Sequence, residues 1–303
     1  MPEKYFLVTP EEGQGQRVDV FLAPRLPDLS RSQIKGLIRA GNILIDGKPR
    51  KPSYKLKAEE RISLVYSLEE SLKLVPEEIP LSIIYRDEDI LVLDKPAGLV
   101  VHIGAGHKSH TLVHALLFHF PKIADVGPRE RPGIVHRLDK ETSGVMVVAL
   151  QPSSFSQLQH QFKARDVEKI YLGLAKGRIL HPEGRIDWPI GRHPKRGDRI
   201  SIKSDKPRDA LTLYRVRKLH AEATFLEIKP VTGRMHQIRV HLAAAGHPLV
   251  GDSRYGGRKT NPPCPRLFLH ATSLSFNHPR SQERMTFESP LPPDLQDYLE
   301  KLA

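Results

Sequence analysis

Apolar positions fall into two regimes along the chain. Before residue 66 they form one short, compact set. Val18, Phe21 and Leu22, and then Ile34, Leu37 and Ile38, recur at three- and four-residue spacing and predict two short helices. Ser30-Arg31-Ser32-Gln33 has the form of a capping box ahead of the second helix, and Gly41 ends it. Ile43-Leu44-Ile45 reads as a strand, Asp46-Gly47 as a tight hairpin turn, and residues 61–65 as the end of the returning segment. Residues 67–80 are acidic, lack a period and carry prolines at their later end, which marks a linker.

From Leu81 onward short strands outnumber helices. Residues 83–85 and 90–93 bracket a polar turn, and Thr111 is placed to cap a helix bearing Leu112, Ala115 and Leu116. Ile134-Val135 and residues 145–149 read as strand ends of a buried sheet, with a charged loop between them. Residues 154–164 have helical spacing with a second capping box at Ser154 and Gln157, and residues 168–175, 224–228 and 267–271 read as strands. Thr232 is placed to cap a helix that Gly246 ends, and residues 293–302 close the chain as an amphipathic helix. The expected class is α+β. A small N-terminal module (16–66) follows an extension (1–15), and after the linker comes a larger domain (81–303) on a largely antiparallel mixed sheet with flanking helices.

Charge then narrows the partner. The 303 residues hold 47 Lys+Arg against 35 Asp+Glu, a net +12, which favours a polyanion and nucleic acid above a membrane surface. Arg31, Lys35 and Arg39 line one face of the second helix, and Lys48, Arg50, Lys51, Lys55 and Lys57 follow, so this module is expected to bind RNA. Residues 191–209 carry Arg192, Lys195, Arg196, Arg199, Lys203, Lys206 and Arg208 and predict an exposed basic hairpin. A single cysteine, Cys264, excludes a disulfide framework and a cysteine-rich zinc site. His102, His107, His110, His114 and His119 lack the companion carboxylate of a metalloprotease helix, so a surface helix with scattered histidines is expected and no metal. With neither a cationic-then-apolar leader nor a membrane-length apolar run, a soluble cytoplasmic protein is expected.

The candidate chemistry lies in the charged loop, His136-Arg137-Leu138-Asp139-Lys140-Glu141-Thr142-Ser143-Gly144. Asp139 stands between Arg137 and Lys140, a setting that favours an ionised carboxylate acting as nucleophile or base. An aspartate that only ties down its neighbours fits the same residues.

This stretch resembles the catalytic signature of the RluA/RluD-type family of RNA pseudouridine synthases. Three further segments share the resemblance: Lys-Pro-x-Gly-x-x-Val-His from Lys95 to His102, Lys-x-Tyr ending at Tyr171, and Gly-Arg-x-His-Gln-Ile-Arg-x-His-Leu from Gly233. Residues 30–48 resemble an S4-type RNA-binding domain. The resemblance implies isomerisation of uridine to pseudouridine in RNA, and the S4 module points to large-subunit ribosomal RNA, free or in the assembling subunit. It implies that Asp139 is catalytic, that Tyr171 packs on the target base and accepts a proton, and that Arg239 pairs with Asp139. It further implies that Arg137 fills the gap left by the extruded base and that Leu269 belongs to the wall of the uracil pocket. Arg234 is expected to contact an anion, and the protein is expected to act as a monomer with no cofactor. A uracil leaving through N1 spreads its charge onto two ring carbonyls, so one carboxylate can serve where ordinary glycosidases need two. The competing expectation is a non-enzymatic RNA-binding ribosome-assembly factor.

Overall fold

The computed structural model describes residues 3–8, 11–26, 29, 31–66, 74–104, 107–194, 199–257 and 260–302. Ser30, residues 67–73 of the expected linker, and Lys195 and Arg196 of the basic segment lie outside them. The chain divides into two units, Met1–Lys73 and Leu74–Ala303.

The first unit contains β1 (Glu3–Val8), α1 (Val18–Phe21), α2 (Arg31–Arg39), β2 (Ile43–Ile45), β3 (Lys48–Pro49) and β4 (Arg61–Tyr66), with sheet order β1-β4-β2-β3. Val18, Phe21, Ile34, Ile38, Ile43 and Ile62 share its core, the faces that the apolar spacing predicts. Asp46 and Gly47 take φ +49° and +70°, which joins Ile45 to Lys48 in a two-residue turn. Strand β1 has no counterpart in the sequence reading, which set residues 1–15 apart as an extension. Its partner β4 lies some fifty residues away along the chain, and no local turn announces the pairing.

The second unit is built on one nine-stranded sheet. Its strands are β5 (Ser82–Arg86), β6 (Ile90–Lys95), β7 (Ser143–Ala149), β8 (Glu168–Lys176), β9 (Glu183–Ile186), β12 (Thr212–Leu219), β13 (Ala223–Pro230), β14 (Leu269–Asn277) and β15 (Arg284–Glu288). They run in the order β5-β6-β7-β14-β8-β13-β12-β9, with β15 on β14. A separate short hairpin pairs β10 (Gly191–Arg192) with β11 (Ile200–Ser201). All the described pairings of the large sheet are antiparallel except β7 with β14. Strand β7 is buried along its whole length, and Leu112 and Leu116 of α3 (Leu112–His119) and Leu158 of α4 (Pro152–Ala164) share its core. At the parallel junction Gly144 has φ +120°, and a Cβ there would meet the Ala271 carbonyl oxygen at 2.1 Å. Only glycine fits, and the junction fixes where the charged loop enters the sheet.

Four local expectations change. Ile134 makes one bridge to Val148 and no strand. Helix α4 starts at Pro152, so Ser154 lies inside it and donates to Asp89 Oδ1 at 2.8 Å instead of capping. Helix α3 is buried from Leu112 to Leu117, not a surface helix, and His114 sits 2.7 Å from the hydroxyl of its N-cap Thr111. Strand β14 begins at Leu269 and runs well past residue 271.

Candidate active site

The charged loop is held from beneath by its own end of the sheet. The Thr142 N–H donates to Asp139 O at 3.1 Å, closing a turn. The next carbonyl, Lys140 O, accepts from the Gly98 N–H at 2.8 Å and the Lys95 ammonium at 3.3 Å. Lys95 is fully buried at the end of β6 and also donates to Pro96 O (2.7 Å) and Leu99 O (2.9 Å). Burial pushes its ammonium down to about 7, against the favourable charges of Asp139 and Glu141. The Lys-Pro-x-Gly segment is thus a frame for the residue beside Asp139.

Asp139 finds its cation one hundred residues downstream. Arg239 Nη1 donates to Asp139 Oδ2 at 3.1 Å, and His236 Nε2 lies 3.8 Å from the same oxygen. Arg137 and Lys140, the expected sequence neighbours, are not its partners: the Arg137 guanidinium lies 3.2 Å from His102 Nε2. His102 Nδ1 lies 2.8 Å from the Ile103 carbonyl and carries the proton there, which leaves Nε2 to accept from Arg137. Burial keeps this imidazole below its ordinary value, as a neutral acceptor requires. Among the described residues no donor reaches Asp139 Oδ1.

Sequence reasoning missed the second carboxylate. Asp252 is buried and takes Arg239 in a two-pronged grip, Nε to Oδ2 at 2.8 Å and Nη2 to Oδ1 at 3.0 Å. Its Oδ1 also accepts the N–H groups of Arg254 and Tyr255. Burial opposes its ionisation, but Arg239 and the two amides outweigh burial and hold the carboxyl below its ordinary range. The turn carrying it is closed on itself: a Cβ on Gly257 would meet Leu249 O at 1.6 Å and one on Gly251 would meet Arg266 O at 1.9 Å. Gly-Asp followed by Gly-Gly was the available signal. Arg239, buried between two carboxylates, is raised well above its ordinary value although burial alone would lower it.

Arg239 sits in the first turn of α5 (Gln237–Ala244), whose N-cap is His236. Thr232, the expected cap, instead donates to Gln237 Oε1 at 2.6 Å and accepts the Leu211 N–H, tying the end of β13 to the helix start. Gly246 follows the helix with φ +90°.

Asp139 and Arg239 line a cleft of about 540 Å³ together with Tyr171, Leu269, Arg137 and Arg234. The second unit thereby brings all six expected residues to one place. Tyr171 stands in β8 opposite Ala271 of β14, and burial, with the charge of Asp139, raises its phenol so that it rests neutral. Leu269 is the buried first residue of β14. Arg234 is exposed and donates to Asp209 O at 3.1 Å. Lys169, on the same wall, is lowered to about 8 by burial and then by Arg165.

The first unit has its own basic hollow, about 850 Å³, lined by Arg17, Lys35, Arg39, Arg50, Lys51 and Tyr54. Arg31 and Lys35 are not free cations: with Arg17 they converge on the buried Asp19, at 2.9, 3.3 and 2.9 Å. Burial opposes ionisation of Asp19, yet the three cations bring it down to about 2. Three cations on one carboxylate still leave a positive face. Arg50 lies over the Tyr54 ring at 4.7 Å.

Comparison with known proteins decides what this arrangement belongs to. The family model described as RNA pseudouridylate synthase matches residues 89–244, and the S4 domain model matches residues 16–62. The chain belongs to the RNA pseudouridylate synthase family. An RNA pseudouridine synthase of Aquifex aeolicus, itself named as uncharacterized, is 46% identical over 91% of this chain and 90% of its own length. The ribosomal large subunit pseudouridine synthase D of Xanthomonas campestris is 42% identical over 97% of this chain and 91% of its own. Among solved structures, human RNA pseudouridylate synthase domain containing 1 matches 75% of this chain and 96% of its own with 31% identity and a TM-score of 0.58. As a member of this family the chain is an isomerase that forms pseudouridine in RNA, and its N-terminal unit is an S4 domain.

Proposed function

We propose that this synthase modifies uridines of large-subunit ribosomal RNA, with Asp139 as the reacting carboxylate. The observation that carries the assignment is the asymmetry of Asp139: Arg239 engages Oδ2 inside the cleft, and Oδ1 is left without a donor among the described residues. Oδ1 is then the reacting atom, whether it attacks C1′ or removes a ribose proton. The N1–C1′ bond breaks, uracil turns, C5 joins C1′, and the hydrogen on C5 leaves to solvent. Tyr171 stacks on the uracil while neutral. Once Asp139 has bonded to the ribose or taken its proton, the charge that disfavours the Tyr171 phenolate is gone, so Tyr171 can pass its own proton to solvent as it takes the one leaving C5.

The target base must leave its stack to reach Asp139. Arg137 is exposed at the cleft and supported by His102, a position suited to filling the vacated space. Arg234 and Lys169 add positive charge for the backbone, Leu269 walls the base, and the S4 hollow with Lys35 and Arg39, together with Arg31 at the start of the same helix, supplies a second RNA contact. The names of the Xanthomonas and other relatives support the large-subunit substrate. The protein acts as a cytoplasmic monomer on the RNA or on the assembling subunit. Chemical mapping of pseudouridine after incubation with large-subunit, small-subunit and transfer RNA transcripts tests the substrate. Modification confined to large-subunit RNA is expected, and modification of transfer RNA alone would overturn the assignment.

A further inference from the structure

His236 has a conformation that its role as a helix N-cap does not explain. Its φ and ψ are +54° and +20°, the left-handed region that a non-glycine residue adopts at a cost, and its side chain makes no capping bond. The side chain instead runs between two partners. Nδ1 lies 2.8 Å from the Tyr255 hydroxyl, and Nε2 faces Asp139 Oδ2 at 3.8 Å. The Tyr255 oxygen already accepts the Ile200 N–H of β11 at 3.1 Å. With that acceptor position used, the arrangement that pairs the phenol proton sends it to Nδ1, and the single proton of a neutral imidazole then resides on Nε2, aimed at a carboxylate. Tyr255 is itself fixed by its N–H on Asp252 at 3.0 Å, the carboxylate that grips Arg239.

We propose that His236 and Tyr255 are a positioning pair for the catalytic carboxylate: Tyr255 sets the tautomer of His236, and the resulting Nε2–H steadies Asp139 Oδ2 beside Arg239 so that Oδ1 is presented to the ribose. The proposal rests on Asp139 being the reacting group. At 3.8 Å the contact is longer than a hydrogen bond. Catalytic contacts of this kind commonly close when substrate enters. Two donors on one oxygen hold the carboxylate against rotation about its terminal bond, which one donor does not.

The test has a ring readout and a kinetic one. Long-range proton–nitrogen NMR on protein labelled with ¹⁵N-histidine, with His236→Gln assigning the signal by its loss, reports the tautomer directly. Wild type is expected to show a protonated Nε2 and a bare Nδ1, and Tyr255→Phe, which removes only the hydroxyl, is expected to lose that preference. In tritium release from C5-labelled RNA, His236→Ala is expected to lower kcat about 10- to 100-fold with KM nearly unchanged, the range for a hydrogen bond to a charged group. His236→Gln, whose amide can reach the same oxygen, is expected to recover part of that loss. A wild-type Nδ1–H tautomer, a tautomer indifferent to Tyr255→Phe, or losses confined to KM would overturn the pair. Turnover by Asp139→Asn would instead overturn the assignment of Asp139, and the ring readout stands independently of it.

Discussion

Asp252→Asn separates the contribution of a buried ion pair from that of an exposed one within the same molecule. Arg239 and Asp252 are 8% and 0% exposed and share bonds of 2.8 and 3.0 Å. Arg266 and Asp294 have comparable geometry, 2.6 and 3.2 Å, but Asp294 is 43% exposed. Removing one partner of a buried pair costs about 3–5 kcal/mol, whereas an exposed pair contributes roughly 0–1 kcal/mol. Asn keeps one acceptor, so the lower end applies, and Asp252→Asn should lose about 2 kcal/mol more than Asp294→Asn in urea unfolding at pH 7. The released Arg239 is free to turn toward Asp139, and a displacement on the order of 1 Å lowers turnover about 100-fold. The sign with pH is set by the lowered carboxyl of Asp252: its stabilisation is complete above the ordinary value of 3.8 and is lost as pH falls below it. Acid unfolding of the Asn variant should therefore be less steep there. Stability within about 0.5 kcal/mol of Asp294→Asn, with wild-type tritium release, would refute the reasoning.

His136 accepts the Val147 N–H at Nε2 (3.1 Å), and burial, then Lys169, lowers it to about 3. A depressed histidine stabilises fully above its unfolded value near 6.5 and loses about 1.4 kcal/mol per pH unit below it. Urea midpoints between pH 7 and 4 should fall in wild type and flatten in His136→Gln. Gly144→Ala forces a Cβ to 2.1 Å from Ala271 O at φ +120°, so the variant should lose more than about 3 kcal/mol, or fail to fold, by thermal melting. In the S4 domain, Arg39→Ala should weaken RNA binding and reduce the salt slope by roughly 0.7–0.9, as one lost phosphate contact does. Arg31→Ala should lower stability as well, because Arg31 pairs with the buried Asp19; equal stabilities for the two variants would contradict this division.

Much of the fold is written locally. Val18, Phe21, Ile34 and Ile38 lie on the faces their spacing predicts, and Asp46-Gly47 makes the turn its residue types demand. What stayed hidden depends on distant partners. Strand β1 finds β4 across the S4 domain, and a buried α3 and an exposed one share the same apolar count until β6 and β7 cover it. The site divides the same way. Asp139 stands out because charge between apolar runs is costly, yet its flanking cations mislead, since adjacent side chains in a tight turn point apart. Arg239 as its partner came from the family motif, and Asp252 from neither source, because Gly-Asp followed by Gly-Gly signals a tight turn but not which distant side chain the carboxylate will grip.

Tritium release from RNA labelled at uridine C5 tests the central claim most directly, because joining C5 to C1′ must expel that hydrogen. Wild-type protein should release tritium from large-subunit ribosomal RNA, and Asp139→Asn should bind the same RNA with similar affinity and release none. Release by Asp139→Asn at a rate near wild type would contradict the account.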